Sequence, residues 1–125
     1  MIELFAFMLF LHIVDDYYLQ GILASMKQKA WWTKQESYCD KYKNDHIVAL
    51  IMHSCSWSFM ILIPYIIYGT ASLLYGVMFI SNATIHAIID HLKANKKKIN
   101  LCTDQALHIV QIVVAFVVLI MNIPH

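Results

Sequence analysis

Three stretches of this chain, Ile47 to Tyr68, Ala71 to Ile89 and Gln105 to Ile123, carry long apolar runs, each close to the ~20 residues that cross about 30 Å of hydrocarbon as a helix. All three read as transmembrane. A fourth stretch at the start is less clean, because Met1 to Val14 is too short to span alone, and a crossing there draws Asp15, Asp16 and Gln20 into or near the membrane. With 60% of residues hydrophobic and 14% charged, the chain lies outside the range of ordinary soluble domains. The expectation is an all-α protein, a four-transmembrane-helix bundle with the lipid bilayer as its solvent. Its 125 residues leave room for a single integral membrane domain over 1–125, with helices at about 2–27, 45–68, 71–94 and 101–123.

The connections follow from the breakers and charges. A polar loop carrying Trp31, Trp32, Lys34, Lys41 and Lys43 follows the first helix, a tight turn at Gly69-Thr70 joins the second to the third, and Asn95 to Asn100 leads into the fourth. The N-terminus opens with Glu3 and runs into two aspartates, unlike a cleaved signal peptide, so this segment is expected to stay. The lysines fall after the first helix (Lys27, Lys29, Lys34, Lys41, Lys43) and after the third (Lys93, Lys96, Lys97, Lys98). Both groups lie on one side, which the positive-inside rule makes cytoplasmic. The expected location is the inner (cytoplasmic) membrane, multi-pass, with both termini outside. A formal net charge of +1 offers no field for nucleic acid. Cys39, Cys55 and Cys102 form no CxxC pair and read as incidental thiols.

Three of the expected helices carry a histidine and an aspartate four residues apart: His12 with Asp16, His86 with Asp90, and Asp104 with His108. That spacing puts both side chains on one face, about one turn apart. The first and third helices run toward the cytoplasm and read His then Asp, while the fourth runs away from it and reads Asp then His. In all three the aspartate is therefore nearer the cytoplasm, and the bundle offers a histidine layer with a carboxylate layer above it. The second helix adds His53 at a comparable depth, ~9 Å in from Ile47 by helical rise.

Ionisable groups inside a membrane are tolerated mainly where they face the bundle interior, pair or bind an ion. Imidazole and carboxylate together suit a divalent metal: zinc, manganese or iron. The expected ligand set is His12, Asp16, His53, His86, Asp90, Asp104 and His108. Two arrangements fit it. In one, the four histidines hold one metal while Asp16, Asp90 and Asp104 orient them; in the other, the two layers hold two metals bridged by a carboxylate. The plainer reading of the same residues is a structural polar network. Elsewhere the plainer reading is preferred: His91 points about 100° away from Asp90 and reads as interfacial, His46 as a helix-start surface residue and His125 as a chain end. Asp15 adjoins the ligand face but reads as reaching water, and Lys96 to Lys98 as a topology signal.

The runs His12-Ile-Val-Asp-Asp16-Tyr-Tyr-Leu-Gln20, Met52-His53, Thr84-Ile-His86-Ala-Ile-Ile-Asp90-His-Leu-Lys93 and Asp104-Gln105-Ala-Leu-His108 resemble, in order, the motifs of a family of small phage and bacterial membrane proteins of unknown function. The resemblance covers essentially the whole chain, and the absence of arginine is consistent with an AT-rich phage genome. That family is similar by pattern to membrane-bound metal-dependent hydrolases. The resemblance implicates His12, Asp16, Gln20, His53, His86, Asp90, Lys93, Asp104, Gln105 and His108, with Lys27 a looser match; Asp15 departs from it, standing where the family usually has glycine. It implies a metal-dependent hydrolase, the metal activating water, Asp16 or Asp90 acting as general base, and Lys93 with Gln20 or Gln105 holding an anionic group.

A site at this depth suits an amphiphilic ester or phosphoester, such as a lipid or other phosphorylated substrate, and an oligomer is compatible with the pattern. Two other classes use the same residues. A cation or proton transport component would need a relay to the far side, which Ile61 to Ile63 and Val113 to Ile120 do not offer. A non-enzymatic phage interaction protein would use the site only to hold the bundle together. The topology is directly testable: a cysteine introduced at position 34 or 97 should be shielded from an impermeant reagent in intact spheroplasts. Labelling of position 97 from outside would overturn the orientation.

Overall fold

The computed structural model describes residues 1–36 and 39–123, so His125 lies outside the described residues. They are all helical apart from turns, with no strand among them. In chain order the elements are α1 (Ile2–Ile13), a π-helical segment (Val14–Leu19), α2 (Leu23–Met26), α3 (Lys29–Trp32), a 3-10 turn (Asp40–Tyr42), α4 (Asp45–Ile61), α5 (Ile63–Ile67), α6 (Ser72–Ala94) and α7 (Leu101–Asn122).

Two of the four expected long helices form as single pieces and two do not. The stretch expected to be helical over 2–27 leaves α geometry at Val14, where the backbone widens so that Gln20 N–H reaches the Asp15 carbonyl at 3.0 Å, a bond across five residues rather than four. It then turns at Gly21, whose φ of 48° is open to glycine at little cost. The expected helix over 45–68 stops at Ile61 and restarts as α5, with Leu62 between them at φ −97° and ψ 3°. Pro64 is the cause: it has no N–H for the Met60 carbonyl, and its ring would crowd that carbonyl in a continuous helix. Among the described residues, only α6 and α7 are, as single helices, long and apolar enough to cross a membrane.

The N-terminus of α7 is capped by the Asn100 side chain, which accepts from Thr103 N–H at 2.9 Å. Gly69, at φ 65°, makes the turn from α5 toward α6.

The helices pack with an inverted pattern. Their outer faces carry exposed apolar side chains, among them Ile51, Val77, Ile80, Ile88, Val110, Val114 and Met121, whereas thirteen polar or charged side chains are buried. The interior has two layers. One is dry and apolar: Met8, Trp57, Ile61, Leu62, Tyr65, Ile112, Ala115 and Leu119 are all sealed from solvent. The other, toward the lysine-bearing loops, holds the histidines and aspartates. α4 packs most extensively on α6, and α1 and α7 each contact a member of that pair and one another. The apolar layer is tied across the bundle by one polar bond, from the buried Tyr65 hydroxyl to the Ala115 carbonyl at 2.6 Å. Tyr65→Phe removes that bond and little volume, so it should lower stability by about 1 kcal/mol in denaturant unfolding of the detergent-solubilised protein. An unchanged midpoint would show that the bond adds nothing net.

Candidate metal centre

Four helices each deliver polar side chains to one buried cluster. α1 and its π-helical extension bring His12, Asp15 and Asp16, α4 brings His53, α6 brings His86 and Asp90, and α7 brings Asp104 and His108. Both consecutive aspartates point inward, Asp15 being 1% exposed and the Asp16 side chain 9%. Residues three and four after His12 share its face, and the widened π turn, a distortion frequent at functional sites, is where both lie.

The Nε2 atom of His53 lies at the centre. It is 3.2 Å from His86 Nε2, 3.2 Å from Asp16 Oδ1 and 3.5 Å from Asp90 Oδ2. His86 Nε2 is in turn 3.7 Å from Asp90 Oδ2, and His108 Nε2 is 3.6 Å from Asp90 Oδ1. A tetrahedral ion with bonds of ~2.05 Å holds its ligand atoms about 3.3 Å apart, so these separations suit one divalent cation with little movement. Two overlapping groups could hold an ion: Asp16, His53 and His86, and His86, Asp90 and His108.

Hydrogen bonds assign the ring protons of three of the histidines. The Trp57 indole, which can only donate, gives its proton to His12 Nδ1 at 2.8 Å. His12 therefore carries its own proton on Nε2, which faces Gln105 Oε1 at 3.1 Å. For His53, the Gln20 amide nitrogen donates to Nε2 at 2.8 Å, which leaves the proton on Nδ1, 3.5 Å from Asp15 Oδ2; Nε2 is thus engaged, and an ion there would have to displace Gln20, while Asp15 is held by the Ser56 hydroxyl at 2.6 Å. For His108, Gln111 is oriented by donating its amide to the Asn82 carbonyl at 3.2 Å. That turns Gln111 Oε1 toward His108 Nδ1 at 3.4 Å, leaving the His108 Nε2 lone pair for the cluster. His108 Nε2 and His86 Nδ1 are buried without a hydrogen-bond partner. Such atoms call for a physical explanation, an unbound ion or proton shift being among them.

Two lysines complete the charge balance. Lys27 Nζ donates to Asp90 Oδ2 at 2.5 Å and is itself buried. Lys93 Nζ donates to Asp104 Oδ2 at 2.5 Å. The four carboxylates Asp15, Asp16, Asp90 and Asp104 are thus faced by two ammonium groups, leaving two negative charges in excess when the histidines are neutral.

The expected ligand set is gathered but divided. Asp16, His53, His86, Asp90 and His108 fall into the ion-sized groups, whereas His12 and Asp104 fall into neither. His12 is occupied at both ring nitrogens, and its ring centroid lies 5.8 Å from that of His108, so the shared ligand sphere of His12 with His86 and His108 does not form. Asp104 is engaged by Lys93 and by Gln105 Nε2 at 3.1 Å. Gln105, expected to hold an anion, instead links His12, Asp16 and Asp104, and Lys93 is similarly engaged by Asp104. Asp15 and His46, expected at the surface, are buried.

Residues passed over in the sequence include Asp15, Trp57, Gln111 and Asn82. The signal for three of them was present as helical spacing: Asp15 stands three after His12, Gln111 three after His108, and Asn82 four before His86, each on its histidine's face. Trp57 had no such signal, because its contacts lie across helices.

No protein family matches this chain, and no curated protein or solved structure matches it either. Its site is therefore read from its own geometry. A carboxylate behind a ligating histidine commonly changes metal affinity 10–100-fold when removed. Asp15→Asn should weaken zinc binding by roughly that factor in calorimetric titration of the solubilised protein, with helicity unchanged. Affinity equal to wild type would remove Asp15 from the centre.

Proposed function

We propose that this chain is a four-segment membrane protein that binds one divalent cation between Asp16, His53, His86, Asp90 and His108, and that it uses the ion to hydrolyse an amphiphilic ester or phosphoester at the cytoplasmic leaflet. The observation that carries the metal reading is the convergence of His53 Nε2, His86 Nε2, Asp16 and Asp90 at 3.2–3.7 Å in a buried cluster. A neutral imidazole nitrogen has one lone pair, so an atom shared by two sites cannot fill both; the overlap of the two groups at His86 favours one ion over two. A dication also matches the two negative charges left in excess.

The bilayer reading rests on the inverted packing. Helices α6 and α7 qualify as spans, and only 17% and 33% of their most apolar windows are buried inside the bundle, unlike the core helices of a soluble protein. The other two crossings are α1 with its π-helical extension, and α4 continued through α5. The second is interrupted at Leu62, where Leu62, Pro64 and Tyr65 are buried, which is where a bilayer tolerates irregular helix; the first widens toward the lysine-bearing loops, where Tyr17, Tyr18 and Leu19 are exposed.

The hydrolytic reading follows from donor chemistry. A bound dication polarises an ester or phosphoryl oxygen and lowers the pKa of a water. Asp16 is the better placed base, since Asp90 is already tied to Lys27. A recess of about 610 Å³ between α1 and α7, walled by Leu9, Ile13, Tyr17 and Ile109, has His12 and Gln105 at its polar edge; it would take an acyl chain beside the cluster, although none of the five proposed ligands lines it.

Transport is disfavoured by the sealed apolar layer of Trp57, Ile61, Leu62, Tyr65, Ile112 and Leu119 beyond the site. The two lysine–aspartate pairs favour the structural network as the second reading, because they neutralise Asp90 and Asp104 without any ion. Metal analysis separates the two. Purified wild-type protein should retain a single zinc or manganese ion per chain, and His86→Ala, which removes the residue common to both groups, should lose it. Asp16→Asn removes one ligand oxygen and the better placed base, so it should weaken metal binding while hydrolysis of lipid phosphoesters falls by orders of magnitude. Wild-type protein that binds no divalent metal would leave the structural network as the correct reading.

A further inference from the structure

Between α4 and α6 lies a second feature that the metal centre does not use. A groove of about 550 Å³ runs between α4 and α6, walled by Ile47, Ile51, Phe79, Ile80, Ile88 and Leu92, with His91 also on its lining. Its walls are almost wholly apolar. A hollow of about 470 Å³, lined by Lys29, Lys96, Lys97, His46 and Asn95, shares His91 with that groove. The apolar groove and the cationic hollow thus both border His91.

The hollow has the chemistry of an anion site. Three lysines line it and no carboxylate does, and among the described residues none of the three is in an ion pair, whereas Lys27 and Lys93 are. His46, more than nine-tenths buried, has its Nδ1 sealed from solvent with no hydrogen-bond partner. Lys97 sits at φ 52°, in the left-handed turn that closes α6 through Lys96 N–H to the His91 carbonyl at 3.1 Å and Lys98 N–H to the Leu92 carbonyl at 2.9 Å, so glycine is tolerated there.

We propose that this feature is a binding site for an anionic phospholipid, with one acyl chain in the α4–α6 groove and the phosphate held by Lys29, His46, Lys96 and Lys97. The lipid is favoured over a free phosphate because the groove that meets the hollow at His91 offers a wall only an acyl chain would cover. Juxtamembrane lysines attract anionic headgroups; here they are arranged around a recess rather than spread over a face. The site rests on the bilayer reading of the chain but not on the metal or on hydrolysis.

The test is native mass spectrometry of the full chain released from phosphatidylcholine nanodiscs containing a minor fraction of phosphatidylglycerol. The protein should retain one phosphatidylglycerol in preference to phosphatidylcholine by about 25-fold, as expected for two lysine contacts at about fivefold each. Glycerol phosphate, the headgroup without tails, should not be retained. Lys97→Gly removes a charge while relieving the backbone, so it should lower retention about fivefold with thermal stability equal to or above wild type. Ala87→Phe, which fills the groove, should lower it without touching the lysines.

Equal retention of both lipids, or retention unchanged in Lys97→Gly, would overturn the site while leaving the membrane reading intact. Failure of the chain to insert into nanodiscs would overturn both. Retention of glycerol phosphate as strong as that of the lipid would reassign the hollow to a soluble phosphate ester.

Discussion

Four carboxylates and four imidazoles share one buried layer, and the rest of the molecule is arranged to make that tolerable. An isolated carboxylate in a low-dielectric interior is costly enough that it is either paired, hydrogen-bonded or neutralised. Here every aspartate has a partner: Ser56 for Asp15, His53 and Gln105 for Asp16, Lys27 for Asp90, and Lys93 for Asp104. With the histidines neutral, the pairing leaves two negative charges in excess, in a cluster whose His and Asp groups could hold a metal ion.

The same constraint explains the irregular backbone. A straight α-helix from Ile2 onward would place two consecutive aspartates 100° apart, and the π-helical segment accommodates both on the inner side. The break before Pro64 lies on the other side of the bundle's interior, within the apolar layer. There Leu62 and Tyr65 close the space beneath Trp57, whose indole in turn reaches up to His12. Trp57 therefore belongs to both layers: its ring seals the apolar one and its N–H sets the protonation of the polar one. His86 stacks on that ring with centroids 4.3 Å apart and on His108 at 4.2 Å, so the ligand rings are positioned by packing as well as by hydrogen bonds.

This network also divides labour among histidines that look alike. His53 and His108 each have a partner on Nδ1, Asp15 for one and Gln111 for the other, which directs Nε2 to the cluster. His12 is reversed, with Nδ1 as acceptor and Nε2 as donor, and serves to hold Gln105 against Asp16 and Asp104. Asp15, Gln111 and Asn82, drawn from three helical segments, lie behind His53 and His108 in this network.

Helical character, the inward face of α6 and α7 and the coincidence of His and Asp at four-residue spacing were legible in the sequence, because helix periodicity alone puts those side chains on one stripe. So was the continuity of α6 and α7, which no proline or inward charge cluster interrupts. Tertiary structure decided the rest. Which histidines fall into the ion-sized groups and which is a brace depends on what lies across the helix interface, and Trp57, 45 residues from His12 in sequence, cannot be placed there by local pattern. The burial of Asp15 depends on α4 supplying Ser56 and His53, and the pairing of Lys27 with Asp90 spans 63 residues. Periodicity sets the direction of a side chain relative to its own helix; its partner, and so its protonation and its chemistry, is set only when the helices meet.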